Sequence, residues 1–239
     1  MFKLMKLELK RNNMKIYVIS SIITSIIMLG FIYLFAYAPH IDPDPDLKIF
    51  ASYNNIISLF SMLSMAVFAT LSSIMYTRFV IDEYKEKRAI LLFSYPVKRA
   101  KILFAKLAVI FLFTMLAMSI CNLMAFGIFG VSESIYPFVV GTLSAQTMLR
   151  AAKVTGIMAI TAAEIGIMAM GIGFIKKSVP TTIVSAVLLS SVFCNIMFNS
   201  TMDINKSDIA SIIFMCITVI AGSVVTIALM KKVNRMEVE

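Results

Sequence analysis

Apolar residues gather into six long runs along this chain, at 16–38, 49–77, 107–132, 154–175, 178–202 and 209–230, and together these runs contain one formal charge, Glu164. Each meets the roughly 20 residues that a helix needs to cross a hydrocarbon core. Backbone amides in lipid must find their partners within their own segment, so such runs predict transmembrane helices. The spans are read at 16–38, 52–78, 103–128, 150–175, 179–200 and 209–231, within a single all-α membrane domain covering 1–239.

Six crossings return both ends of the chain to one side, and the basic residues name that side. Lys and Arg cluster before the first span (Lys3, Lys6, Lys10, Arg11, Lys15) and at the second junction (Arg78, Lys85, Lys87, Arg88, Lys98, Arg99, Lys101, Lys106). Lys176 and Lys177 mark the fourth junction, and Lys231, Lys232 and Arg235 follow the last span. Of 22 cations, only Lys48, Arg150, Lys153 and Lys206 fall at the other junctions. The positive-inside bias therefore predicts cytoplasmic termini. It also accounts for the net charge of +9: these cations are topology determinants and contacts to membrane lipid, so no nucleic-acid partner is expected. Cys121, Cys194 and Cys216 all fall within the runs and form neither a disulfide framework nor a metal spacing. The first run is too long for a signal peptide and lacks a small-residue cleavage site, so it is expected to be retained.

The ends and loops add detail. Residues 1–15 interleave Phe2, Leu4, Met5, Leu7 and Leu9 with Lys3, Lys6, Glu8, Lys10 and Arg11. At helical period this separates an apolar from a basic side, the pattern of a helix lying in the headgroup plane. Residues 39–46 carry Pro39, Pro43 and Pro45 among Asp42, Asp44 and Asp46, and are expected to form an extended acidic ribbon. His40 beside those carboxylates invites a metal reading, but prolines splay the acids along a stiff strand, and no metal site is assigned. Residues 134–149 are uncharged but too short to span, and contain Pro137 and Gly141. They are expected to be interfacial or re-entrant.

The longest predicted cytoplasmic segment, 81–101, has an internal order. Carboxylates and cations come first (Asp82, Glu83, Lys85, Glu86, Lys87, Arg88), then the apolar Ile90–Phe93 stretch, then Pro96, then Lys98, Arg99 and Lys101. Glu83 faces Lys87 one turn on, which supports a short helix, and Pro96 stops it because Tyr95 is pushed out of the α region. Glu83, Glu86, Arg88, Leu91, Leu92, Ser94, Pro96, Val97, Arg99 and Lys106 together resemble the coupling region of type 2 ABC exporter permeases. In that family the element lies between the second and third of six spans, and an amphipathic helix precedes the first, matched here by Glu8-Leu9-Lys10-Arg11. A departure is Lys87-Arg88-Ala89, where family members often carry a Gly-Thr turn.

That resemblance implies a membrane subunit of the bacterial cytoplasmic membrane with no catalytic residues of its own. It implies that Glu83, Glu86, Arg88, Leu91, Leu92, Pro96 and Arg99 dock a separate ABC ATPase present in two copies. A second permease copy, identical or related, completes the complex. This chain is expected to bind no cofactor, with ATP and magnesium held by the ATPase. The chain has no Gly-x-x-x-x-Gly-Lys-Ser/Thr loop, which agrees. Similarity to small bacterial members, including lantibiotic-immunity and phenol-soluble-modulin exporters, implies amphipathic or antimicrobial peptides as cargo. A generic basic loop contacting anionic lipid is the alternative for this segment.

Polar residues within the spans complete the candidates. Glu164 is costly at its depth and points either to a group in a passage or to a hydrogen-bonded carboxyl pinning two helices. Asn54, Ser58 and Ser61, continued by Met65, Phe68 and Ser72, recur at steps of three and four. They form one face that suits either a passage lining or close helix packing. The 19 methionines fit an adaptable cargo surface and ordinary core filling equally well. Two other functions remain open at this point: a proton-coupled secondary transporter using Glu164, and a non-transporting sensor or adaptor.

Overall fold

The computed structural model describes residues 2–11, 13–41, 52–83, 99–135, 139, 144–176, 178–198 and 204–234. All regular structure among them is helical. A short helix α1 (Phe2–Arg11) precedes α2 (Met14–Ile41), α3 (Tyr53–Tyr76), α4 (Arg99–Ile135), α5 (Ala145–Lys176), α6 (Val179–Phe198) and α7 (Ile204–Asn234). A π-turn, Thr77–Ile81, extends α3. Helices α2 to α7 are each long and apolar enough to cross a membrane, six in all, as the apolar runs predict.

Two of the six occupy the middle of the bundle. Over its most apolar stretch α5 is 78 % buried and α3 is 67 %, against 17 to 33 % for the other four. Helix α5 packs on α3, α4, α6 and α7, and its most extensive contact is with α3. The reason is side-chain size. In lipid, no water is released when helices meet, so close van der Waals approach decides which faces pair. The buried faces of α3 and α5 are rich in small residues: Ser58, Ser61, Ser64, Ser72 and Ser73 on one, Ala159, Ala162, Ala163, Gly166 and Ala169 on the other. At Gly166 the helices come so near that a Cβ would lie 2.9 Å from Cβ of Ser72 and 3.2 Å from the Tyr76 ring. Aromatic edges fill the wider gaps, with Phe60 on Phe126 and Phe193 on Phe214 at 5.0 Å between centroids.

Most helix boundaries differ from the sequence reading, and the differences at the ends of α2, α4 and α5 are the largest in consequence. Helix α2 continues through Pro39 and His40 to Ile41, so the acidic ribbon does not begin at Pro39. Proline in a last turn removes only one backbone bond, to the carbonyl four residues earlier, and the helix absorbs that. Residues 42–51, with Asp42, Asp44 and Asp46, lie outside the described residues. Helix α4 has 37 residues, about 55 Å at 1.5 Å per residue, and so outruns a bilayer core of about 30 Å. It reaches Ile135 while α5 begins at Ala145, so both helices enter the stretch expected to be interfacial.

Candidate functional site

The strongest constellation of charge sits where α1, the π-turn after α3, and α4 meet. One side of α1 carries Glu8, which is buried, and Arg11 one turn later. The π-turn widens the last turn of α3, with the Asp82 N–H reaching the Thr77 carbonyl at 2.9 Å, and thereby sets Glu83 beside α1. Single π-turns of this kind gather at functional positions. Lys106 lies two turns into α4 and its side chain is fully buried.

These four groups form one neutral quartet. The Lys106 ammonium donates to Glu83 Oε2 at 2.6 Å and to Glu8 Oε2 at 3.0 Å. Arg11 pairs with the other oxygen of Glu83 and lies 3.9 Å from Glu8. A lysine with no solvent access is tolerable only with such charge-assisted bonds. At the same ends of α3, α4 and α5 an apolar floor forms from Tyr76, Phe79, Leu103, Leu107 and Phe174. Tyr17 of α2 joins that floor, its ring meeting Phe79 edge-on at 5.5 Å. The arrangement ties α1 to both ends of the segment 84–98, which follows Glu83 directly and leads into Arg99, two turns before Lys106.

Of the residues assigned to ATPase docking, Glu83 therefore holds a structural pairing at the root of the segment. Glu86, Arg88, Leu91, Leu92 and Pro96 lie outside the described residues; Arg99 opens α4, its side chain likewise outside them. Lys106 appears in the sequence resemblance but not among the docking residues. Its partner Glu8, 98 positions away, is visible in the sequence only as an acid interrupting a basic helix.

A second polar cluster binds the opposite ends of α3, α5 and α7. The Arg150 guanidinium pairs with both Asp208 oxygens, at 2.8 Å from Nη2. It also donates to the Asn54 carbonyl at 3.0 Å and to the Ser58 hydroxyl at 3.3 Å. Nearby, Tyr53 O–H and Val139 N–H both donate to Glu133 Oε1, at 2.9 and 2.6 Å. Two members of the suspected passage face are thus engaged by an arginine, while the Ser61 hydroxyl is buried without a hydrogen-bond partner. The signal for this cluster in the sequence is that Arg150 and Asp208 each stand at a span end among few charges.

Glu164 lies elsewhere. It lines a groove of about 420 Å³ between α4, α5 and α7, which none of Asn54, Ser58 and Ser61 reaches. The residue is buried, its Oε2 has no hydrogen-bond partner, and a Cβ at position 222 would run into its carboxyl group. Glycine at 222 is what leaves room for an acid between α5 and α7. Among the described residues no group of three or more His, Cys, Asp or Glu could hold a metal ion.

A bundle of six apolar helices, with the short N-terminal helix ionically anchored beside a basic inter-span segment, defines a multi-pass membrane protein. Residues 4–190 match the family described as ABC-2 family transporter protein, and the chain belongs to that family of ABC transporter permeases. It is 28 % identical over 186 residues to the Uncharacterized protein YcbO of Bacillus subtilis (strain 168), covering 78 % of this chain and 80 % of that one. No solved structure matches the chain at a significant level.

Proposed function

We propose that this permease is the membrane subunit of an ATP-driven exporter for amphipathic or antimicrobial peptides. It works as two permease copies with two copies of a separate ATPase, for secretion or self-protection. Membership of the ABC-2 family implies the ATPase partner. The observation that carries the rest is the ionic quartet around buried Lys106 at the root of segment 84–98. A push on that segment from an ATPase would be delivered to α1 and α4 together, because Glu83 pairs with both Arg11 of α1 and Lys106 of α4, and Lys106 pairs with Glu8 of α1. Peptide cargo rests on the likeness to small bacterial exporters and on the apolar surface the helices offer. Export is expected to persist when the proton gradient is collapsed and to stop without ATP.

Docking is tested by Glu86→Ala with Arg88→Ala. The double variant is expected to reach the membrane folded, with the quartet intact, and to lose ATPase co-purification or at least tenfold of the ATP-dependent uptake of a fluorescent amphipathic peptide into inside-out vesicles. Normal uptake with the ATPase still bound overturns the docking assignment.

Topology has its own test. In a background with Cys121, Cys194 and Cys216 replaced by serine, cysteines placed at Asp44 and Asn205 are expected to react with an impermeant maleimide on intact cells. A cysteine placed at Lys87 is expected to react only after permeabilisation. The reverse pattern would invert the charge-based orientation.

A further inference from the structure

We infer that the groove between α4, α5 and α7 is a binding site for a single-chain cationic amphipath, with a primary ammonium against Glu164 and an apolar chain along the groove walls. Three observations carry it. The first is depth. Glu164 is fourteen residues from Arg150 and twelve from Lys176 on one continuous helix, roughly 21 and 18 Å at 1.5 Å per residue. It therefore stands near the middle of the hydrocarbon layer, where an unpaired carboxylate is costly.

The second is what surrounds it. Glu164 is only 7 % exposed, and its Oε2 has no hydrogen-bond partner. The other polar side chains of the groove are Ser223 and Thr226, and its walls are Phe104, Leu107, Phe111, Ile167, Ile227 and Met230. Among the described residues no cation lines it. An incoming ammonium supplies the carboxyl group with a countercharge and with hydrogen-bond donors, and such charge-assisted bonds are short and strong where water is scarce.

The third is access and size. Phe104 and Ile227 are 40 and 54 % exposed, so the groove opens on the outer surface of the bundle, where a membrane-dissolved molecule arrives sideways. Its volume of about 420 Å³ falls toward the small end of ligand sites, which run to roughly 1,000 Å³. A phospholipid keeps its phosphate charge and is held at the interface; a single-chain primary amine can shed its proton, enter as the neutral base, and take up a proton at the carboxyl group. Gly222 serves the site by leaving the carboxyl group its seat.

The inference stands on membrane placement and charge, not on peptide export, so either can fail alone. The test is equilibrium binding of tritiated dodecylamine to the full chain in phosphatidylcholine nanodiscs, with empty nanodiscs subtracted. Saturable binding of one amine per chain is expected, with dodecanol and dodecyl sulfate competing at least tenfold less well than unlabelled amine. Glu164→Gln is expected to weaken binding at least tenfold while the unfolding midpoint stays within a few degrees. Ile227→Trp fills the groove from its exposed side, leaves Glu164 in place, and is expected to weaken binding to a similar degree; it decides the matter if the Gln variant does not fold. Unchanged affinity in both variants, equal competition by alcohol and amine, or absence of saturable binding overturns the site. So does disulfide cross-linking of two chains through Ile227→Cys, which would show a second copy filling the groove.

Discussion

Lys106→Met is expected to destabilise the protein by about 3 kcal/mol, near the lower end of the 3–5 kcal/mol typical when one member of a buried ion pair is removed. The lower end applies because Arg11 remains to pair with Glu83, whereas Glu8 keeps only the 3.9 Å approach of Arg11. Methionine preserves the length and the apolar stem, so the loss reports the charge and its two hydrogen bonds, at 2.6 and 3.0 Å. Denaturation in one detergent, followed by cysteine accessibility and by α1 proteolysis, gives the measurement. A change below about 0.5 kcal/mol, the scale of an exposed pair, would show that the quartet does not form.

A companion variant separates stability from transmission. Lys106→Met with Glu8→Leu and Glu83→Met removes the buried charges together, and such replacements are often neutral or stabilising. This triple variant is expected to recover most of the lost stability and yet to export poorly, because an apolar contact slips where an ionic one holds register. Full export by a stable triple variant would assign the quartet to folding alone.

Gly166→Val is the second large effect. Already at the Cβ stage the new side chain meets the Ser72 hydroxyl, lies 2.9 Å from Ser72 Cβ and 3.2 Å from the Tyr76 ring. Both neighbours are fully buried, so neither can swing away. The remaining response is separation of α3 from α5, the pair at the centre of the bundle. Overpacking of this kind costs about 1–3 kcal/mol, and the upper value is expected here because backbone-bearing elements must move. Gly156→Val on the same helix is the control: beyond its own stretch of helix backbone no atom lies within 4 Å of its Cβ position, and it is expected to be nearly silent. Equal effects at the two positions would mean that helix propensity, not packing, sets the outcome.

The contrast between Glu164 and Lys106 shows what is legible in such a chain. Glu164 stands out because any charge amid an apolar run violates the lipid constraint, and it is indeed buried and lines a groove. Lys106 looks like one more member of a basic cluster, yet it is fully buried and its partners lie 23 and 98 positions away. Asn54 and Ser58 illustrate the reverse. Their spacing puts them on one face, but periodicity cannot say that Arg150, from another helix, donates there to the Asn54 main-chain carbonyl and the Ser58 hydroxyl.

Membrane residence, the six spans and the all-helical class follow from the sequence by itself, because the hydrocarbon layer acts on each segment separately. Every backbone amide must be satisfied within its helix, so length and apolarity suffice to find the helix. The two central helices, the seat of Glu164 against Gly222, the quartet around Lys106 and the clamp at Arg150 were decided only by the tertiary structure. In lipid, apolarity does not distinguish an inward face from an outward one, so hydrophobic pattern carries no instruction about neighbours. That choice falls to small residues and to a few charges, whose partners exist only once the helices have met.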